Sequence, residues 1–396
     1  MLKSIFVKLS NLVSFVCALF IFMLLKIRKN KINKKTLLVI RLDAIGDYVL
    51  FRNFLQVIRE SEKYRDYKIT FCGNSAWKDL SLAYDSKYYD DSIWIERRRF
   101  HSEFIYKFRI MSTVYKRGFY SVIEPEFSRE ILYGDTIVMA SNAVEKTGSL
   151  GSQEKHAGWK RRLFTDRIYS RLIPANEKNI FEFIRNKELL ESILGTTVGI
   201  ESPCFAKNTI RKGSEEISIF EMHKSNSYVV VFPGANENKR IWKAENFAKT
   251  ALYITEHTNY DIVICGGPQE KETAEIISGF LPKDRVIDVT GKTSLPDLVG
   301  IISDAALLIS NETSSIHIAA SLKIPFICIS NGNHYGRFNP YPENVFNKGF
   351  FIYPFKTNGL DADEIKEKYR FGSSLDINTI TIDEVIKTLP KIIKLT

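Results

Sequence analysis

The sequence predicts an α/β protein built from two open-sheet domains. Three observations carry this. The chain has 396 residues, enough for two domains with their own cores. Several short apolar runs end in a small or polar turn with a helical pattern directly behind. Those turns collect Gly, Asp, Ser, Thr, Lys and Arg, and open α/β sheets bind ligands at the C-terminal ends of their strands.

The first element is apolar. Leu12–Leu25 is nearly free of polar residues, and Ile5–Ile27 is long enough to span a bilayer. Met23-Leu24-Leu25-Lys26 offers no small-residue cleavage site, so the segment is expected to be retained. A basic run, Lys26–Lys35, follows it. The positive-inside rule then puts the body on the cytoplasmic side of a membrane. Lys8, Ser10, Asn11 and Ser14 give the segment one polar flank. Crossing the bilayer and lying in its surface both stay open, and a helix packed on the protein is a third reading. Residues 1–36 are thus read as a membrane-associating segment, separable from a folded body.

Charge supports that division. The net charge is +10, and residues 1–36 hold +8 of it with no Asp or Glu, leaving +2 for the rest. The basic segment points to a membrane surface. No basic stripe with placed aromatics suggests nucleic acid as a partner. Five scattered cysteines without a Cys-x-x-Cys pair fit buried thiols in a reducing compartment. The six histidines show no metal-ligand spacing, so no metal and no cofactor are expected.

Residues 37–205 read as the first α/β domain. Strands are expected near 37–41, 68–72, 92–95 and 120–124. After the first, Arg41-Leu42-Asp43-Ala44-Ile45-Gly46-Asp47 turns into a helix with Leu50, Phe54, Val57 and Ile58 on one face. Gly46 lets a ligand approach the backbone. Asp47 puts a carboxylate at the sheet edge, where it could act as a general base. By pattern alone the commoner reading is that Asp47 caps the helix. Residues 96–118 are basic, aromatic and read as helical. Lys146–Arg162 holds Gly148, Gly151, Gly158, His156 and Trp159 with Arg161 and Arg162. A Gly-rich loop with Arg161 and Arg162 suits an anionic, sugar-containing acceptor, and a solvated surface loop is the alternative.

Residues 206–225 read as a linker and 226–350 as the second α/β domain. Val229–Phe232 is a strand run before Pro233-Gly234-Ala235-Asn236-Glu237-Asn238-Lys239-Arg240-Ile241-Trp242. Lys239 and Arg240 on such a turn could cradle a diphosphate. Ile262–Cys265 runs into Gly266-Gly267-Pro268-Gln269-Glu270, where Gln269 and Glu270 could bind a ribose diol. Ala305–Ser310 runs into Asn311-Glu312-Thr313-Ser314-Ser315-Ile316-His317 at a helix start. Such a start binds phosphate through backbone N–H groups, with Thr313, Ser314 and Ser315 alongside. An ordinary Ser/Thr cap is the bland reading. Asp361-Ala362-Asp363 is read as a helix start rather than a metal-diphosphate pair. The tail, 351–396, ends in an apolar-periodic stretch, Ile377–Leu395.

Taken in order, these turns resemble glycosyltransferase family 9, the lipopolysaccharide heptosyltransferases. The matching pieces are Arg41–Asp47, Pro233-Gly234 with Arg240-Ile241-Trp242, Gly266-Gly267-Pro268, Thr290–Leu295, Glu312–His317 and Gly336–Tyr341. The resemblance covers roughly 37–345 and is sparse between the first helix and about residue 225. It departs from the family at Glu312, usually Asp, at Ser314, usually Gly, at Lys243, usually Pro, and at Arg240, often Lys.

The resemblance implies a GT-B arrangement of two facing Rossmann-like domains and a C-terminal helix that packs back. It implies an inverting, metal-independent glycosyltransferase with a nucleotide-sugar donor, ADP-heptose being the best known. The acceptor would be lipopolysaccharide or another lipid-linked glycan. Asp47 would be the base, with Gly46, Glu312 and His317 in support, although His317 reads equally well as a core residue. Two alternatives remain. One is a non-catalytic nucleotide-binding subunit of a glycan assembly complex. The other is a sugar-nucleotide epimerase or hydrolase on the same fold.

Overall fold

The computed structural model describes residues 2–27, 29–151, 157–176, 180–205, 227–354 and 361–395. The chain divides into two compact units: Met1–Lys178 with Ile184–Gly199, and Asn179–Phe183 with Ile200–Thr396. The linker reading at 206–225 and His156 lie outside the described residues.

The first unit holds β1 (Asn33–Arg41), β2 (Lys68–Asn74), β3 (Asp91–Ile95), β4 (Phe119–Glu124), β5 (Glu145–Ser149) and β6 (Arg171–Ile173). Its helices are α1 (Leu2–Lys26), α2 (Ile45–Phe51), α3 (Asn53–Glu60), α4 (Lys78–Tyr84), α5 (Arg97–Ser102), α6 (Phe104–Arg117), α7 (Gly134–Ser141) and α8 (Ala157–Phe164). A ninth helix, α9 (Glu182–Leu194), begins on the short stretch assigned to the second unit. The sheet is parallel, in the order β3-β2-β1-β4-β5-β6. Central strands buried on both faces need continuous apolar runs, and Leu37–Ile40 is fully buried.

Two expectations change here. The helix after β1 is two helices meeting at Arg52, which is buried and paired with Asp85 at 2.7 Å. Val57 is only half-buried, whereas Leu50, Phe54 and Ile58 are buried. The stretch 146–162 is not one Gly-rich loop, because it holds most of β5 and the first six residues of α8. Gly148 is there for packing: a Cβ on it would sit 2.6 Å from the Tyr169 ring.

α1 packs on the first unit rather than standing apart from it. Ser14, Ala18, Ile21 and Leu25 are buried at helical spacing, and the last three join the core formed with Tyr106, Ile110 and Met111. Phe6, Leu9, Leu12, Val13, Val16, Phe20 and Met23 of α1 are exposed, and Phe6–Lys26 is long and apolar enough to cross a membrane.

The second unit repeats the plan with β7 (Tyr228–Phe232), β8 (Asp261–Ile264), β9 (Val286–Asp288), β10 (Leu307–Asn311), β11 (Phe326–Ile329) and β12 (Gly349–Ile352). All pairings are parallel, in the order β12-β11-β10-β7-β8-β9. The tail forms short turns rather than one helix, at Ile377–Thr379, Ile382–Ile386 and Leu389–Lys391. Ile377, Ile380, Val385, Leu389 and Ile393 enter this unit's core, with Trp242 and Phe247. Asp361 starts its helix as expected, accepting from the N–H groups of Asp363 and Glu364 at 2.8 and 2.7 Å.

Candidate functional site

In each unit the strand order reverses once, between β1 and β4 and between β7 and β10. Crevices open at such reversals because the connections leave in opposite directions. Gly46, Asp47, Lys239, Arg240, Gln269, Glu270 and Glu312–Ser315 fall on these two points and on the strand ends beside them, whereas Arg161 and Arg162 lie on α8.

In the first unit, Ala44 is the N-cap of α2 and has no capping side chain. Asp47 therefore lies in the first turn and is not the cap, which removes the capping reading. Its carboxylate still meets the positive end of the helix dipole. Gly46, beside it, does not adopt the left-handed backbone.

The turn before α2 is pinned from several elements. Asn74 Nδ2 donates to the carbonyls of Leu42 and Asp43 at 3.2 and 3.0 Å. Trp77 Nε1 donates to the Asp43 carbonyl at 3.1 Å, and Arg97 Nη1 to the Leu42 carbonyl at 2.8 Å. Glu126 Oε1 accepts from the Leu42 N–H at 2.6 Å. Arg41 is fully buried, pairs with Asp43 at 2.7 Å and donates to Asn186 at 3.2 Å. It also reaches the Asp47 carbonyl at 3.5 Å. So the backbone carrying Asp47 is held rigidly by side chains distant in sequence.

Glu126 is a second carboxyl at this point, but it is buried and faces backbone. Burial pushes it up to about 7, against the pull of Arg41. Glu124 is raised too, by burial first and then by Glu126 and Asp135. Arg161 is buried beside Arg129, Asp135, Asp166 and Glu124, and burial lowers its pKa. That places Arg161 in the framework of the unit rather than on an acceptor-binding loop. Arg162 is exposed.

In the second unit, the loop after β7 is anchored on β10. Asn311 Nδ2 donates to the Pro233 carbonyl at 2.5 Å, and its Oδ1 accepts from the Trp242 N–H at 3.1 Å. Trp242 is buried and donates from Nε1 to the Ile380 carbonyl at 3.0 Å. These bonds carry Arg240 to the end of β10. Its Nη2 donates to the Glu312 carbonyl at 2.5 Å and pairs with Glu312 Oε1 at 3.2 Å. Arg240 Nε is buried and finds no hydrogen-bond partner among the described residues. Lys239 is exposed and pairs with Glu237 at 3.0 Å.

Glu312 also accepts from the Ser330 hydroxyl at 2.6 Å. Burial pushes its carboxyl up to about 7, with Arg240 pulling the other way. Thr313 is the N-cap of the helix Ser314–Leu322, and Thr313 and Ser314 are half-buried. Ser315 differs from the expected open hydroxyl. It is fully buried, and its Oγ is taken up by Ser310 and Thr313, both at 2.8 Å. It tightens the turn from inside.

His317 is a core residue. Its Nδ1 bonds the Tyr341 hydroxyl at 2.7 Å, and burial lowers its pKa to about 3, so it is neutral. Gln269 and Glu270 lie in the turn Pro268–Glu270 after β8, and Gln269 is exposed. The Glu270 side chain leans over two glycine turns: a Cβ on Gly234 would lie 2.8 Å from its carboxyl carbon, and one on Gly267 3.1 Å from Oε2. Gly234 and Gly267 thus make room for this carboxylate. Thr290 Oγ1, on the neighbouring turn, is buried without a partner among the described residues.

Among the described residues no group of three or more His, Cys, Asp or Glu side chains is placed to hold a metal ion. The arrangement offers an arginine and a helix start for an anion, a carboxylate for a diol, and in the other unit a carboxylate on a pinned turn. Sequence reasoning did not find Asn74, Trp77, Arg97, Glu126 or Asn186, which reach the Arg41–Asp47 stretch across 31 to 145 positions. Asn74 alone left a signal, as a polar residue ending an apolar strand.

Two parallel α/β units, each with such a constellation at its reversal, define a protein of the GT-B class. Residues 181–354 match the sequence model of glycosyltransferase family 9 (heptosyltransferase). Lipopolysaccharide heptosyltransferase 3 of Escherichia coli is 26% identical over 209 residues, 50% of this chain and 56% of that protein. Lipopolysaccharide core heptosyltransferase OpsX of Haemophilus influenzae is 28% identical over 108 residues, 26% of this chain and 30% of that protein. The chain thus spans about half of the first relative's length or less.

Two solved structures share the fold over nearly all of the chain. A glycosyl transferase family 9 protein from Veillonella parvula has a TM-score of 0.68 at 18% identity, covering 92% of this chain and 99% of its own. The ADP-heptose lps heptosyltransferase II of Escherichia coli has a TM-score of 0.63 at 15% identity, covering 90% and 98%.

Proposed function

We propose that this chain is an inverting glycosyltransferase. It moves a heptose-like sugar from a nucleotide-diphosphate donor, ADP-heptose or a close analogue, to lipopolysaccharide or another lipid-linked glycan. The observation that carries the reading is Arg240, fixed by Glu312 at the start of the helix Ser314–Leu322 with its buried Nε unpartnered. A diphosphate there would supply the missing acceptor and meet the helix dipole. Glu270 would take the ribose diol and Gln269 the base.

In the transfer, Asp47 accepts the proton of an acceptor hydroxyl while its oxygen attacks the anomeric carbon. The bond from that carbon to the diphosphate breaks on the opposite face, so configuration inverts. Charge left on the diphosphate is stabilised by Arg240 and by backbone N–H groups at Thr313–Ser314, the task a metal ion performs elsewhere. An apolar N-terminal segment with a basic flank keeps the enzyme at the cytoplasmic membrane face, where a lipid-linked acceptor resides.

A thermal-shift panel of nucleosides, nucleotide diphosphates and nucleotide sugars tests the reading, since a ligand that binds the folded chain raises its melting temperature. A rise with one family of nucleotide diphosphates and its sugars is expected. No rise with any of them would overturn it.

A further inference from the structure

Of the polar flank of α1, Ser10 and Ser14 face the body, while Lys8 and Asn11 are exposed. Ser10 Oγ bonds His101 Nε2 at 3.1 Å, and Ser14 Oγ donates to the His101 carbonyl at 2.9 Å. The Lys107 ammonium is buried and donates to the Ser14 carbonyl at 2.9 Å and its hydroxyl at 2.5 Å. Burial lowers the Lys107 pKa to about 8. With the two serines turned inward, most of what α1 exposes is apolar, Phe6, Leu9, Val13, Val16, Phe20 and Met23 among others, with Lys8, Asn11 and Lys26 between and beside them.

This face continues onto other helices. An open groove of about 290 Å³ between α1 and the α5–α6 pair has Phe6, Leu9, Val13 and Phe104 along its lining, with Ser10, Ser14, Ser102, His101 and Lys107 among the polar lining residues. On α6, Ile105 is 81% exposed, and Phe104 and Phe108 stack with their centroids 6.5 Å apart. On α8, Leu163 and Phe164 are half exposed, and the Phe164 ring meets Phe15 of α1 at 5.7 Å. A contiguous apolar face of this kind on a folded unit marks an interaction surface. Exposed cations sit on the same elements: Lys8 and Lys26 on α1, Arg98 on α5, Arg109 on α6 and Arg162 on α8. The acid at the start of α6, Glu103, is already paired with Arg99 at 3.0 Å. Apolar area with an unneutralised cationic surround complements an anionic lipid surface.

We propose that α1, α6 and α8 form one docking face for an anionic bilayer, with α1 lying in the plane of the membrane. This rests on the membrane attachment read above and specifies its geometry. A docked α1 cannot also cross the bilayer. Ser14 stands at the middle of Leu2–Lys26, so a crossing helix would carry Lys107 and His101 to the bilayer centre, where a charge is costly. An in-plane helix instead sinks its outer side about 5–10 Å into the headgroup boundary and leaves the serine ties intact.

The test is flotation of the full chain with vesicles of phosphatidylethanolamine and phosphatidylglycerol. The wild type is compared with Ile105→Glu and with Ile105→Glu plus Phe108→Ser, both of which leave α1 unaltered. Melting temperature and nucleotide binding report whether each variant is folded. The double variant should bind vesicles at least about tenfold more weakly, and Ile105→Glu should follow in the same direction. Wild-type binding by both folded variants would overturn the composite face while leaving attachment through α1 standing. A wild-type chain that ignores vesicles would sink the attachment reading itself. Loss of a dimer by light scattering in the same variants, without vesicle binding, would make a second copy the occupant and overturn the proposal.

Discussion

Replacing Arg240 with alanine should weaken nucleotide-diphosphate binding and leave nucleoside binding almost unchanged. A hydrogen bond to a charged group is worth roughly 1.5–3 kcal/mol. Arg240 is already engaged by Glu312 Oε1 at 3.2 Å, so part of its hydrogen-bonding capacity is taken and the lower half of that range applies. About 1.5–2 kcal/mol corresponds to a roughly 10- to 30-fold rise in Kd. The substitution also strands Glu312, a buried carboxyl already pushed up to about 7, which then takes up a proton more readily. The folded chain thereby avoids an unpaired buried charge, and the melting temperature should fall only modestly. Isothermal titration with a nucleotide diphosphate and its parent nucleoside is the assay. Equal weakening for the two ligands, or none, would refute the placement of the diphosphate at Arg240.

Asp47→Asn should lower turnover by about 10²–10⁴-fold while donor binding stays near wild type, and near-normal turnover would rule out Asp47 as the base. Transfer should persist in excess EDTA, and loss of activity restored by Mg²⁺ or Mn²⁺ would contradict diphosphate stabilisation by Arg240 and the helix start. Glu312 holds its proton up to about pH 7 in the folded chain, whereas an ordinary glutamate releases it near 4.5. Over that window the folded chain binds more protons, so this residue's contribution to stability falls as pH rises. Glu312→Gln mimics the protonated form, so its melting temperature should gain on the wild type between those pH values, and a constant difference would refute the assignment.

Much of the fold was legible because parallel strands buried on both faces are continuous apolar runs, as at Val229–Val231 and Leu307–Ile309. β5 was not, because Glu145-Lys146-Thr147-Gly148-Ser149 has no such run, and only Gly148 and Ser149 are buried. Its strand identity comes from pairing with β4 and β6, which local sequence does not encode. The break at Arg52 was hidden for a similar reason: its partner Asp85 lies 33 positions away. At the site, the turns were legible and their supports were not. Arg240 stood out as a cation on a glycine turn, but that its chain is clamped through Asn311 follows only from the β7–β10 pairing. Arg161 looked like a ligand-binding arginine because a polar composition does not reveal burial.

The bond between Ser14 and Lys107 has a consequence for how the chain is made. The two residues are 93 positions apart. At a synthesis rate of about 5–20 residues per second, the interval between them is roughly 5–20 s. Throughout it, α1 is a long apolar helix whose protein partner has not yet been translated. Its serine stripe, which the finished fold conceals, is then exposed, and it makes the nascent helix amphipathic. A helix with one polar stripe prefers the headgroup boundary to the hydrocarbon interior, so over that interval the helix's own sequence favours the same in-plane pose that the finished fold requires.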